Sequence, residues 1–400
     1  MSVCREENST IMNRKHIITI FLFMAILTLI VPGKTHASSE DISDEMMDSL
    51  HLDSLEDHWE ELTKTYGKYM DDMQDRTLFE LIKDKESLSI KNIVSSALEF
   101  LFAEVIASGK VLSMLIILTL FSVVLQTMHT AFDKSMVSKI AYFIVYISLI
   151  YVALNSFYSA FMYTTDAVSM MSSFMIGIIP LLIGLLATFG NILTVSFFHP
   201  VVLFIVHSSG MLISSFILPL LYMSALLFII STMHSTYKVT QLAEMLKTVA
   251  LTILGMFFTL FIGVISIQGT ATAIQDGVAM KTAKFITGNV IPVIGRTFTD
   301  AADTVLSASL LLKNAVGIVG VIIILFTALF PALKIAVIAL MYKLTAALLQ
   351  PIGDGPIIES LQIISKFMMY ILTCLLIVTL MFFLSLVIIL IASNVTLFLR

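Results

Sequence analysis

From residue 111 to residue 391 the chain is a succession of apolar runs separated by short polar breaks. The runs lack the alternation of a membrane β-strand, and several approach or exceed the about 20 residues an α-helix needs to cross a bilayer. They predict an all-α, polytopic bundle of transmembrane helices. In order, the apolar stretches are Val111–Thr127, Ile140–Tyr163, Ala167–Phe189, Val195–Ile230, Thr248–Ile267, Ala315–Phe330, a weaker Ile335–Leu349 carrying Lys343, and Phe367–Ile391. Thr164-Thr165-Asp166 and Gly190-Asn191 read as tight turns, and Gln350–Pro356 as a turn-rich break. Val195–Ile230 is too long for one straight span and holds Pro200 and Pro219. That leaves open a kinked, tilted helix or a re-entrant pair. The pattern predicts about seven spans.

Two segments precede this body. Residues 1–37 have the plan of a signal peptide: Arg5, Arg14 and Lys15, then the apolar Ile17–Val31, then Pro32-Gly33 and the small-residue pattern Thr35-His36-Ala37. Cleavage is expected between Ala37 and Ser38, and an uncleaved first anchor is the alternative. Both put Ser38 outside the cytoplasm. Residues 38–110 form a small, acidic, helical extracytoplasmic region. In it Leu52, Leu55, Trp59, Leu62, Tyr66, Tyr69 and Met73 recur in alternating steps of three and four, an apolar seam on one helix with acids on its other faces. A wider stripe follows at Ile90, Ile93, Val94, Ala97, Leu98, Leu101, Phe102 and Val105. The two helices are expected to pack on each other, or one seam to dock a partner. The membrane domain then covers 111–400, with a polar segment at 268–314.

Composition sharpens this picture. Hydrophobic residues make up 58% and charged residues 13% of the 400, against about 45–50% and 25% in soluble domains. The net charge of −5 conceals an asymmetry, because 18 of the 28 acids lie between Ser38 and Gly109 beside only six Lys and Arg. Such a region has no use for nucleic acid or anionic lipid. Cys4 and Cys374 are the only cysteines, so there is neither a disulfide framework nor a cysteine metal site.

The polar segment Gln268–Asn314 breaks the apolar body. It gathers Asp276, Lys281, Lys284, Arg296, Asp300, Asp303 and Lys313, with glycines at 269, 277, 288 and 295. Such a segment does not cross lipid exposed; it is a loop, an interfacial hairpin or backbone lining water. Lys281 and Lys284, and Asp300 and Asp303, are three apart, and Arg296 and Asp300 four apart, all at helical spacing. Gly288-Asn289 and Pro292 divide the helices of a polar hairpin. Asp276, Lys281, Lys284, Arg296, Asp300 and Asp303 are the candidates for lining a conduit or meeting a partner. With the acidic region outside and the 128–139 loop inside by its lysines, counting Val195–Ile230 as one span puts this segment inside. Counting it as two reverses that.

KTAKFITGNVIPVIGRTFTDAADTVLSASLLLKN at 281–314 resembles the stage III sporulation protein AE family of endospore-forming bacteria, as do GVISIQGTATAIQDG at 263–277, SKIAYFIVY at 138–146, FFHP at 197–200, YKVTQLAEML at 237–246 and LQPIGDGP at 349–356. The resemblance implies a multi-pass protein of the mother-cell membrane surrounding the forespore. It implies work with the other proteins of the stage III sporulation A operon and with a forespore membrane partner, in a channel or secretion-like conduit that sustains forespore development and late gene expression. It brings no catalytic residues.

The residues themselves offer no catalytic, cofactor-binding or metal set. His199 and His207 are eight apart, about 12 Å along a helix, too far to share a metal. There is no HExxH, P-loop or GxSxG pattern. Asp166, Asp276, Asp300 and Asp303 gain weight only at membrane depth. The chain reads as non-enzymatic, with the lipid bilayer and sister proteins as partners, and homo-oligomerisation open. A stand-alone secondary transporter and a pore-less assembly scaffold are the alternatives. The transporter would show an internal repeat with broken helices, which this chain lacks.

Overall fold

A computed structural model describes residues 53–69, 90–131, 136–188, 192–233, 239–290, 294–352 and 355–398; within these, the side chains of 268–308 and of several helix ends lie outside the description. Eight α-helices and no strand are found among the described residues: α1 Asp53–Tyr66, α2 Ile90–Ala131, α3 Met136–Thr188, α4 Ile192–Leu212, α5 Leu218–Met233, α6 Thr240–Val290, α7 Ile294–Leu349 and α8 Pro356–Phe398. The signal and cleavage site lie outside the described residues.

Among the described residues, six stretches are long and apolar enough to cross a membrane: Asn92–Leu125, Ile140–Leu185, Pro200–Thr232, Thr240–Ile267, Ser309–Leu349 and Pro356–Ile391. Backbone amides have no water to turn to in lipid, so such runs satisfy themselves as helices. The expected count of about seven falls to six by fusion. Thr164-Thr165-Asp166 is not a turn, because α3 runs straight through it. Thr164 Oγ1 donates to the Ala160 carbonyl at 3.0 Å and Thr165 Oγ1 to that of Phe161 at 3.1 Å. Hydroxyls that seem to call for a turn are thus absorbed by the preceding helical turn. The two stretches flanking Pro331 likewise join into α7, which holds that proline inside it.

Pro200 and Pro219 lie within one span and do not split it. Between α4 and α5 lies one π-helical turn, Ile213–Ile217. Pro219 has no N–H to offer the carbonyl four residues back, at Ser215, and the widened turn takes up the misfit. Of the two expected forms, the stretch is the single helix and not the re-entrant pair.

α7 is the centre of the bundle, with 67% of its most apolar stretch buried against 22% for α2 and α6. It forms an antiparallel pair with α8, and α3 packs on both. α2 closes one flank against α3 and α7, and α5 and α6 the other against α8. Two glycines allow the central approach. A Cβ on Gly317 would stand 2.1 Å from Leu390 Cδ2, and one on Gly320 would stand 2.5 Å from Ile178 Cδ1.

A trio of hydroxyls marks one end. The Tyr146 hydroxyl lies 3.1 Å from Thr232 Oγ1 and 3.2 Å from Ser360 Oγ, which are 2.9 Å apart. The trio joins α3, α5 and α8 near the α2–α3, α5–α6 and α7–α8 connections, so all three connections share that end. The α3–α4 and α6–α7 connections occupy the other. There Lys313, expected within the polar segment, is fully buried in α7 and donates from Nζ to the Leu390 carbonyl at 2.9 Å.

Candidate functional site

The seam on α1 does what its spacing promised and buries itself, though against the membrane bundle. Leu55, Trp59 and Leu62 are buried, while Glu56, Asp57, Glu60 and Glu61 face out. Tyr66 stacks on Phe330 of α7 with ring centroids 4.4 Å apart, and Phe100 of α2 meets both edge-on at 5.9 and 5.0 Å. Tyr69, in the 3₁₀ turn after α1, adds a fourth ring, 5.1 Å from Phe100. Aromatic edge-to-face pairs of this kind add to simple burial. The second stripe turns three of its seven described members outward: Val94, Leu98 and Phe102 are exposed on α2, which continues unbroken into the first span.

Under α1 lies a polar cleft of about 550 Å³. His58, Glu61, Thr65 and Tyr66 line it from α1, Tyr163, Asp166, Ser169 and Ser173 from α3, and Thr327 with Pro331 from α7. A second cleft of about 240 Å³ adjoins it, holding Glu104 and Ser108 of α2, Asn155, Ser156 and Ser159 of α3 and Tyr342 of α7. Tyr163 lines both. Lys334 Nζ sits 4.4 Å from the centre of the Tyr163 ring, a cation–π contact. Ser108 Oγ donates to Glu104 Oε1 at 3.3 Å.

Asp166, Glu104 and Lys334 therefore all lie inside stretches apolar enough to span a membrane. Charges there are expensive and face protein or water. The two acids border polar clefts, and the lysine is covered on one side by an aromatic face.

Burial pushes the Tyr66 hydroxyl up to about 12, with the Tyr163 phenol and the Asp166 and Glu104 carboxylates adding to it. An acid held neutral in this way contributes stability that is whole below its ordinary value of 10.0 and lost as pH rises through about 12. The difference in phenolate absorbance between the parent and Tyr66→Phe is expected to show one tyrosine ionising near 12. Ionisation at the ordinary value would mean that α1 is not docked.

The candidates chosen from sequence fall elsewhere. Asp276, Lys281 and Lys284 sit on the outer part of α6, and Arg296, Asp300 and Asp303 on the first turns of α7. Their side chains lie outside the described residues. The backbone is helical up to Val290 in α6, through the expected break at Gly288-Asn289, and again from Ile294 in α7; the expected break at Pro292 lies outside the described residues. With α3 unbroken, the C-terminal end of α6 and the N-terminal end of α7 lie at the end of the bundle opposite the C-terminal end of α2. Counting Val195–Ile230 once while taking α3 as two spans had put them at the same end.

The model of the family described as stage III sporulation protein AE matches residues 73–393. The chain belongs to this family. Stage III sporulation protein AE of Bacillus subtilis (strain 168) is 48% identical over 363 residues, 91% of each chain. No solved structure matches. Membership in the stage III sporulation protein AE family gives the chain a role in sporulation, and its six apolar helices make it a multi-pass membrane protein. The family match takes in α2 to α8 apart from the last residues, and so includes every membrane residue of the two clefts. Tyr163, Lys334 and Glu104 were not singled out from sequence. Lys334 and Glu104 are lone charges in apolar runs, Tyr163 directly precedes Thr164-Thr165-Asp166, and only the long-range pairing of α2, α3 and α7 gathers them.

Proposed function

We propose that this chain is a non-enzymatic subunit of a sporulation channel or secretion-like complex linking mother cell and forespore, and that the two clefts joined at Tyr163 form part of its hydrated path. The complex would contain the other proteins of the stage III sporulation A operon and a forespore membrane partner. The chain would sit in the mother-cell membrane around the forespore. The observation that carries this reading is that Asp166 and Glu104 border adjoining clefts within apolar spans, with Lys334 set against the ring of Tyr163, which lines both. A helix bundle serving only as an anchor has no need to bear the cost of those charges. With the acidic region extracytoplasmic, the even number of spans sets the polar hairpin on that same outer face, next to any partner protein there.

The test combines function with accessibility. Asp166→Asn and Lys334→Met are each expected to lower heat-resistant spore yield at least tenfold at normal protein level, an effect of about 1.4 kcal/mol or more on the limiting step. Glu244→Gln, at the end of the bundle, should leave yield unchanged. Single cysteines at Ser159, Ser169 and Ser173, in a Cys4→Ser, Cys374→Ala background, should react with a membrane-impermeant thiol reagent in sporulating cells. Full yield in both charge variants, with all three cysteines silent, would turn the reading to a pore-less scaffold.

A further inference from the structure

We propose that the α7–α8 end of the bundle holds a binding site for the phosphate group of an anionic phospholipid, with Lys343 and Lys366 as its ligands. A pocket of about 420 Å³ opens between the two helices close to their connection. Lys343 lines it from α7, Gln350 from the 3₁₀ turn that follows, and Gln362, Ser365, Lys366 and Tyr370 from α8. None of the residues lining it is acidic. Tyr370 carries a third cation on its ring: Lys247 of α6 lies 5.9 Å from that ring and 5.9 Å from the ring of Phe228, and is paired with Glu244 at 2.6 Å. Lys343 and Lys366 thus bring positive charge to the pocket from two helices, while Lys247 beside it is balanced by Glu244.

The surroundings select a lipid over a soluble anion. Leu340, Leu344 and Leu348 follow one another at four-residue steps along the outer face of α7, and Met369 stands on α8; these are 57, 41, 54 and 48% exposed. A pocket with two lysines in its lining, bordered by an outward apolar ladder, matches an amphiphile with a charged head and apolar tails. Lys343 lies seven residues before Gln350 and Lys366 ten residues after Pro356, so both are within about 15 Å of the helix ends at the about 1.5 Å rise of an α-helix. From that depth a lysine reaches the phosphate layer by extending its stem. Basic pockets between spans are the form that anionic headgroup sites take, with lysine acting as a point charge on phosphate. The site shares no residue with the two clefts and stands or falls without them.

The experiment is a lipid titration of the purified full chain in a non-ionic detergent, followed by native mass spectrometry. The probes are phosphatidylglycerol, phosphatidylcholine and inorganic phosphate. Phosphatidylglycerol should bind at least tenfold more tightly than phosphatidylcholine. Lys343→Gln with Lys366→Gln should weaken phosphatidylglycerol binding about 30-fold, the electrostatic share of two lysines. Lys343→Arg with Lys366→Arg should retain it. Both lysines are exposed, so the melting temperature without lipid should not move. Equal binding of the two lipids, or unchanged binding in the glutamine pair, overturns the site. Inorganic phosphate that displaces phosphatidylglycerol at equal concentration overturns the lipid assignment in favour of a soluble phosphate ligand.

Discussion

Replacing Gly320 with leucine is expected to unseat the centre of the bundle, with loss of the chain from membranes of sporulating cells and a large fall in its melting temperature in detergent. At Gly320 even a methyl group would lie 2.5 Å from Ile178 Cδ1 on α3 and 3.2 Å from Leu386 Cδ1 on α8. Two side-chain tips on different helices would have to give way at once, and a leucine reaches past them. Overpacking of a core costs about 1–3 kcal/mol, and leucine adds three further carbons between both neighbours, so the upper end of that range is expected. Gly317→Leu should act similarly, since Cδ2, Cδ1 and Cγ of Leu390 all lie within 2.9 Å of the added carbon. The contrast lies on α6. Nothing stands within 4 Å of a carbon added at Gly255 or Gly263. Alanine there should be neutral, or stabilising by up to about 1 kcal/mol through helix propensity. Equal melting temperatures for the leucine and alanine variants would mean that α7 does not approach α3 and α8 so closely.

The second large effect is expected at Trp59. Its side chain is 4% exposed, between Leu55 and Leu62 at 2% and 1%. Truncating a buried aromatic to alanine costs about 3–5 kcal/mol, and here the cost falls on the docking of a single 14-residue helix. Such a shift multiplies the undocked population at least about hundredfold. A cysteine at Thr327 reports it, since that residue lines the cleft beneath α1 and is 3% exposed. In a Cys4→Ser, Cys374→Ala background, Trp59→Ala should speed labelling of Cys at that position about hundredfold. Lys64→Ala should not, because the Lys64–Glu60 pair at 3.0 Å is 71% and 66% exposed and such pairs contribute little. Unchanged labelling in the tryptophan variant would show that α1 does not cover the cleft.

The membrane class was legible from composition, because runs of this length and apolarity have few other ways to satisfy their backbones. The seam on α1 was legible because a soluble helix with one dry face writes that face at steps of three and four. Its target was not, since Phe100 and Phe330 are ordinary phenylalanines in apolar runs. The span count of about seven came within one of the six stretches found among the described residues, and the difference has a local reason. Thr164, Thr165 and Asp166 have the composition of a turn, yet two of them bond back within the helix and the third reaches a cleft. The membrane part of the clefts was the least legible feature. Asp166 stood out only on condition of its depth, and Glu104, Tyr163 and Lys334 are up to 230 residues apart. No local pattern joins them.

The hydroxyl trio has a consequence for how the helices choose their angular settings. Helices apolar on every side are not oriented by burial, because lipid tails are as apolar as the core they would pack against. Turning α3, α5 or α8 by one residue, about 100°, would carry Tyr146, Thr232 or Ser360 away from the other two and toward hydrocarbon. The trio therefore works as an index mark at one end of the bundle, as Lys313 with the Leu390 carbonyl does at the other. With α8 keyed at both ends, the lipid-facing ladders of its neighbours are held in one rotational setting, and so is any surface that a second protein must find.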